Sequence, residues 1–264
     1  MLGPMVPVSR VASLVPSMTE SVCALGARDL LVAVTRYCEE PAAELRDVPR
    51  VGGTKNPKLE KLAALDPDLV IVNTEENRLE DIAWLRARFR VLEHVPCTVV
   101  EASDALRELA AALDRDQEAL PFLLAIEAQL AACQVDDLLL EPVRVFYPIW
   151  RKPWMGVGAG TYIRDVLHRA GAVNVCDDLA GRYPEVDLAW LRAQRVDLVV
   201  LPDEPWAFTA AERDELEASG EFPAGTAIQC ASGKDFCWHG VRTASGLGAV
   251  RSLLRPHRRS RAAH

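Results

Sequence analysis

The stretch Asp116–Asp136, DQEALPFLLAIEAQLAACQVD, governs how the rest of the chain is read. Leu123, Ile126, Leu130 and Cys133 recur at three- and four-residue spacing, with Leu120 and Leu124 beside them, which is the period of an amphipathic helix. Asp114 or Asp116 can cap the start. Pro121 is tolerated in a first turn and bends a later one. About 19 helical residues make a rod roughly 28 Å long at 1.5 Å per residue, enough to link two globular lobes. Taken alone, such a helix reads more simply as an ordinary surface helix inside one domain. The sequence on each side favours two lobes.

The flanks carry one pattern twice. Leu59–Val72 reads LEKLAALDPDLVIV and Leu188–Leu201 reads LAWLRAQRVDLVVL, at a constant offset of 129 residues. Leu59/Leu188, Leu62/Leu191, Ala64/Ala193, Asp68/Asp197, Leu69/Leu198, Val70/Val199 and Glu75/Glu204 align. Upstream, VCALGA (Val22–Ala27) echoes LHRAGA (Leu167–Ala172), each ending a helix at a glycine suited to a left-handed cap. Short apolar strands, Val11–Val15 and Val143–Tyr147, precede those helices. Each half therefore reads strand, loop, helix, glycine, strand, helix, strand. The fold class expected is α/β, as two Rossmann-like α/β lobes joined by a single long backbone helix. The expected divisions are a flexible arm at 1–9, an N-terminal lobe at 10–114, the linking helix at 115–140, a C-terminal lobe at 141–255 and a basic disordered tail at 256–264.

Composition narrows the function. Half of the 264 residues are hydrophobic and 26% are charged, an ordinary soluble balance. The net charge of −8 and a pI near 5.3 argue against nucleic acid or anionic membrane as a general partner. No apolar run approaches the length of a membrane span. The opening MLGPMVPVSR lacks the basic-then-apolar layout of a secretory signal. Seven scattered cysteines, Cys23, Cys38, Cys97, Cys133, Cys176, Cys230 and Cys237, suit reduced core positions. On the sequence as given the expected location is cytoplasmic. It is periplasmic or otherwise extracytoplasmic if the true start lies upstream or a signal has been removed.

The chemistry-bearing residues fall in loops after strands, where open α/β sheets place ligands. Ser17 and Glu20 read as a capping box. Tyr37 follows the second strand. VGGTK (Val51–Lys55) is a glycine pair with a polar tip, without Walker spacing, and Lys55 either touches a ligand or is solvated. Asn73–Asn77 is a polar strand end containing Glu76. IWRKPWM (Ile149–Met155) reads as a loop placing Trp150 and Trp154 beside two cations, a ligand wall or interface unless one ring plugs the core. GVGAGT (Gly156–Thr161) lacks dinucleotide spacing and enters a helix at Tyr162, with Thr161 near its cap. DEPWAF (Asp203–Phe208) places Trp206 at the second repeat strand's end, Thr209 caps the next helix, and DFCWHG (Asp235–Gly240) adds Trp238. Ser103 is expected to cap the helix reaching Leu113. No GxSxG, HExxH or Cys/His pair suggests an enzyme, so no catalytic residue or catalytic cofactor is assigned. His94, His168 and His239 are the histidines of the folded body. Cys230, Cys237 and His239 lack zinc spacing, so no metal site is assigned.

VGGTK, PDLVIVNTEEN (Pro67–Asn77), IWRKPWM, GRYPEVDL (Gly181–Leu188) and EPWAF (Glu204–Phe208) together resemble the helical-backbone substrate-binding proteins. They are closest to the cobalamin-binding branch of the iron/cobalamin receptors of ABC importers, over about Val11 to Leu254. The resemblance implies a class III periplasmic-binding-protein-like fold, with a corrinoid such as cobalamin held in a cleft between lobes. Tyr37, Trp150, Trp154, Trp206 and Trp238 would cover the ring, and Lys55 and Glu76 would meet its amide arms. It further implies a monomer that delivers ligand to a permease, with Glu80 and Glu212 as candidate docking carboxylates. The alternatives are a receptor for an iron chelate, haem or other metal complex, and an interaction module without small-molecule ligand docking through Glu212–Glu217.

Overall fold

The computed structural model describes residues 7–261. Its first half runs β1 (Val11–Ser13), α1 (Pro16–Ala24), β2 (Leu31–Val34), α2 (Leu59–Ala63), β3 (Leu69–Val72), α3 (Leu79–Arg86) and β4 (Arg90–Glu93). Helices α4 (Val99–Leu113) and α5 (Asp116–Leu139) follow. The second half runs β5 (Val143–Phe146), β6 (Pro148–Trp150), β7 (Trp154–Gly156), α6 (Tyr162–Arg169), β8 (Ala172–Asn174), β9 (Glu185–Val186), α7 (Leu188–Ala193) and β10 (Leu198–Pro202). It closes with α8 (Ala210–Ser219), β11 (Ala227–Ala231), α9 (Lys234–Cys237) and α10 (Thr243–Leu254).

Two separate parallel sheets form, ordered β2-β1-β3-β4 and β8-β5-β10-β11. The order is the same in both, so the sequence repeat is a repeat of topology. The central strands β3 (LVIV) and β10 (LVVLP) are buried at every residue, as expected of sheets covered on both faces. One core gathers Leu14, Leu62, Val70, Val72, Ile82 and Leu85. The other gathers Phe146, Leu191, Val199, Leu201, Phe208 and Phe222. In each sheet β1 or β5 lies between strands reached in opposite directions, the switch point at which such sheets receive ligands.

The paired aspartates explain the register. Asp68 accepts from the backbone N–H groups of Ser9 (2.9 Å) and Arg10 (3.1 Å), just ahead of β1. Asp197 accepts from the backbone N–H of Arg144 in β5 (2.9 Å). The arginines answer: Arg10 Nε donates to the Asp66 carbonyl and Arg144 Nε to the Gln194 carbonyl, each at 2.9 Å. Each half thus ties the end of its helix to its first strand through one arginine–aspartate clip.

Compactness divides the chain into two units. One takes the chain through Pro96, Val100–Leu124 and His239–Arg242; the other takes Cys97–Val99, Ala125–Trp238 and the chain from Thr243. Helix α5 is shared between the units, and His239–Arg242 joins the first, where Arg242 grips Glu20 (2.6 and 2.9 Å) and the Val241 N–H reaches Ser21 Oγ (3.2 Å).

Helix α5 buries Ala119, Leu123, Ile126, Cys133 and Asp136, while Leu120 and Leu124 face solvent and Leu130 is half-buried. Helix α1 starts at Pro16, whose missing N–H suits a first position, so Ser17 sits inside the helix and makes no cap. Glu20 pairs with Arg242 in place of a capping box. Helix α4 begins at Val99, leaving Ser103 inside it.

The expected arm and tail are tied down where they are described. Ser9 is held by Asp68. Arg258 is buried: it meets Asp137 (2.7 Å) and donates to the carbonyls of Leu140 and Glu141 (each 3.0 Å) and Ala170 (3.3 Å). Gly171, at φ +92°, makes room for it, since a Cβ there would stand 2.0 Å from Arg258 Nη1. The remainder of the expected arm and tail, 1–6 and 262–264, lies outside the described residues.

Candidate functional site

In the first unit, three loops meet at the carboxyl ends of β1, β2 and β3, and Asn77 joins them. Its buried amide donates to the Thr54 carbonyl (3.0 Å) and the Leu14 carbonyl (3.4 Å), while its Oδ1 accepts from the Asn73 N–H (3.0 Å). Lys55 Nζ donates to the Glu75 carbonyl (2.6 Å), bracing the VGGTK tip against the β3 loop beside half-buried Glu76. Tyr37 is 48% exposed, and Arg36 donates to its phenol oxygen (2.9 Å) with the guanidinium 4.9 Å from the ring centre. Gly53 lies beneath this group: a Cβ there would meet Asn56 Oδ1 at 2.4 Å and Tyr37 Cε2 and Arg36 Nη2 at 3.3 Å. Tyr37, Lys55 and Glu76 thus occupy the same end of one sheet.

In the second unit, IWRKPWM is an antiparallel hairpin of β6 and β7, not a loop, and Val186 of GRYPEVDL pairs with Trp154 as a third strand. The alternation sends the two tryptophans to different places. Trp154 is a core residue, 6% exposed, stacked on Phe208 (6.0 Å, 11°) and edge-on to Phe146 and Phe222. It is the ring that plugs the core, and it offers a ligand no open face. Trp150 is 42% exposed and edge-to-face with half-buried Trp206, centroids 4.8 Å apart. These two rings sit beyond β5 and β10, the counterparts of β1 and β3, so the loop of Trp206 matches the loop of Glu76. Trp238 is buried at the end of α9, with Lys234 Nζ 4.7 Å from its ring centre.

Arg151, between the tryptophans, is turned inward. It bonds Glu215 (2.9 Å) and Glu221 (3.3 Å), lies 3.9 Å from Glu212 and covers the Trp154 ring. Glu212 closes the capping box of α8 with Thr209 and accepts from Trp206 Nε1 (3.2 Å). Its carboxylate therefore already has three partners inside the unit. Glu80 stands in the first turn of α3, largely exposed, 3.3 Å from Arg78.

The histidines are engaged. His94 meets Glu108 (2.8 Å), His168 meets Asp177 (2.5 Å), and buried His239 faces Ser17 Oγ (3.5 Å). Burial, with His94 nearby, lowers the His239 pKa to about 4. Among the described residues, no group of three or more His, Cys, Asp or Glu side chains is arranged to hold a metal ion. No described helix is long and apolar enough to cross a membrane. Arg36 and Asn77 escaped the sequence reading. Arg36 reads as the polar end of a strand, and Asn77 as one polar loop residue among five.

Twin parallel α/β sheets of one strand order, each bearing aromatic and polar side chains beyond its strands, have the architecture of a periplasmic-type binding protein. Residues 11–229 match the model of the Periplasmic binding protein family, and the chain belongs to that family. A vitamin B12-binding protein of Vibrio cholerae serotype O1 is 28% identical over 183 residues, 69% of this chain and 66% of the relative. The match thus spans just under two thirds of that relative's length. Among solved structures, the periplasmic vitamin B12 binding protein of Vibrio cholerae superposes with a TM-score of 0.83 at 23% identity, covering 95% of this chain and 98% of that one. A periplasmic haem binding protein from Pseudomonas aeruginosa gives 0.78 at 24% identity, covering 97% and 96%.

Proposed function

We propose that this protein is a non-enzymatic solute receptor of an ABC importer and that its ligand is a corrinoid of the cobalamin type. The observation that carries the reading is the Trp150–Trp206 pair, open to solvent at the carboxyl end of a parallel sheet in a family of binding proteins. A corrin is broad and flat, and aromatic rings cover such a face at low conformational cost. In the first unit, Tyr37, Lys55 and Glu76 group an aromatic ring with polar side chains at the carboxyl end of its own sheet, chemistry of the kind that meets amide arms. The similarity to vitamin B12-binding proteins supports the choice of ligand class.

As an importer's receptor the chain works outside the cytoplasmic membrane as a monomer, and Glu80 is its docking carboxylate toward a permease. Haem is the second reading, favoured by structural likeness to haem-binding proteins. Titration with cyanocobalamin and, separately, with haemin, following tryptophan fluorescence, separates the two. Saturable quenching by cyanocobalamin at micromolar concentration, absent with haemin, is expected. Quenching by haemin alone would replace the corrinoid reading, and native mass spectrometry of protein from its own host would identify what it carries.

A further inference from the structure

Arg36 is set apart from the other anchored arginines of the first unit. Arg10 and Arg50 end on backbone carbonyls, Arg78 pairs with Asp81, and Arg242 pairs with Glu20. Arg36 is exposed and leans on a neutral phenol, donating to Tyr37 Oη (2.9 Å). Among the described residues no carboxylate neutralises it. A guanidinium carries five N–H donors in a planar fork, so donors remain beyond the one given to Tyr37. Its backbone is fixed as well, because the Arg36 N–H donates to the Gly52 carbonyl at 2.8 Å.

The surroundings share that character. Gly53 leaves open the space on which Arg36 Nη2, Tyr37 Cε2 and Asn56 Oδ1 converge. Lys55, two residues on, is fixed by the Glu75 carbonyl, which orients the ammonium without cancelling its charge. The carboxyl end of the first sheet thus holds two cationic donors, Arg36 and Lys55, alongside the loop that carries Glu76. Planar donor forks recognise phosphate and carboxylate oxygens in pairs.

We propose that Arg36 is a specificity-determining residue that reads an anionic, phosphodiester-type group on the ligand, with Lys55 adding to the local positive field. The inference rests on the receptor reading above and sharpens it. The protein would select a complete corrinoid, whose nucleotide loop carries a phosphodiester, over a corrinoid lacking that loop.

The test measures cyanocobalamin and dicyanocobinamide affinities for the wild-type chain, Arg36→Gln and Arg36→Lys. Arg36 is exposed, and far-UV circular dichroism checks that each variant folds. Arg36→Gln should weaken cyanocobalamin about tenfold and dicyanocobinamide less than about twofold, with Arg36→Lys recovering part of the loss, as a charge-assisted contact requires. The wild-type preference should also shrink as salt rises from about 0.05 to 0.5 M. Equal losses on both ligands, or no loss on either, would overturn the role of Arg36 while leaving the receptor reading intact. A wild-type chain that binds neither corrinoid would overturn both.

Discussion

Asp66 and Arg195, 129 residues apart, both adopt left-handed backbone, at φ 45° and 52°. Each lies just past the repeated helix, α2 or α7, where the chain must reverse into β3 or β10. The hydrogen-bonded clip beside each, Arg10 to the Asp66 carbonyl and Arg144 to the Gln194 carbonyl, holds the reversal in place. The two halves therefore share a strained turn as well as a strand order.

That turn yields the first prediction. Left-handed backbone costs an ordinary L-residue about 1–2 kcal/mol, while aspartate tolerates it better and glycine pays no steric cost. Both side chains are exposed. Arg195→Gly should raise stability by about 0.5–1 kcal/mol after the extra entropy of glycine in the unfolded chain is subtracted, and Asp66→Gly by less. Urea unfolding of the two variants checks both the sign and the order.

The repeat was legible in sequence because it is written in buried apolar positions and one aspartate, which the offset of 129 aligns. Helix α5 was legible because its buried side has helical spacing. The Trp150 hairpin was not, since seven residues with a proline and two cations carry no alternation that distinguishes a strand pair from a loop. Arg258 was not either. A basic terminal run reads as solvated, and only the space above Gly171 shows where that guanidinium goes. Within the candidate site, inward and outward side chains of one short stretch look alike in sequence: Trp150 and Trp154 differ by four positions and by their whole environment.

Asp177 gives a pH prediction. Burial alone would push its pKa up, but hydrogen bonds from His168, Arg164 and Asn174 outweigh burial and bring it down to about 2. A carboxylate depressed in the folded state adds stability above its unfolded value near about 4 and loses it as pH falls toward about 2. The wild-type chain should therefore lose stability across that acid window, and Asp177→Asn should flatten this part of the profile while lowering stability at pH 7. Thermal melts from about pH 5 to pH 2 on both proteins measure it.

The two docking candidates should separate in stability. Glu80 has a single exposed ion-pair partner, and such pairs contribute about 0–1 kcal/mol, so Glu80→Ala should leave the melting temperature nearly unchanged. Glu212 completes the α8 capping box and receives Trp206, so Glu212→Ala should cost about 1–2 kcal/mol. It should also change the tryptophan emission. If both variants melt like the wild type, the inward role of Glu212 is wrong.

The tryptophans provide the sharpest contrast, because one cluster contains both a structural ring and the proposed ligand-facing pair. Trp154 stacks on Phe208 and touches Phe146 and Phe222 at 6% exposure, so Trp154→Ala opens a cavity in the second unit's core. Large aromatic truncations of this kind cost about 3–5 kcal/mol, enough to unfold a marginal domain. Trp150 has almost half its surface in water and touches Trp206 by an edge. Trp150→Ala removes that edge contact and little buried area, so it should cost about 1 kcal/mol or less. If the pair receives a corrinoid, Trp150→Ala should weaken cyanocobalamin at least about tenfold with the fold intact, since a ring face covering a flat ligand contributes more than about 1.4 kcal/mol. Trp154→Phe, which keeps an aromatic in the core, should retain binding. Loss of binding in Trp154→Phe together with retention in Trp150→Ala would move the ligand away from the exposed pair and overturn this assignment.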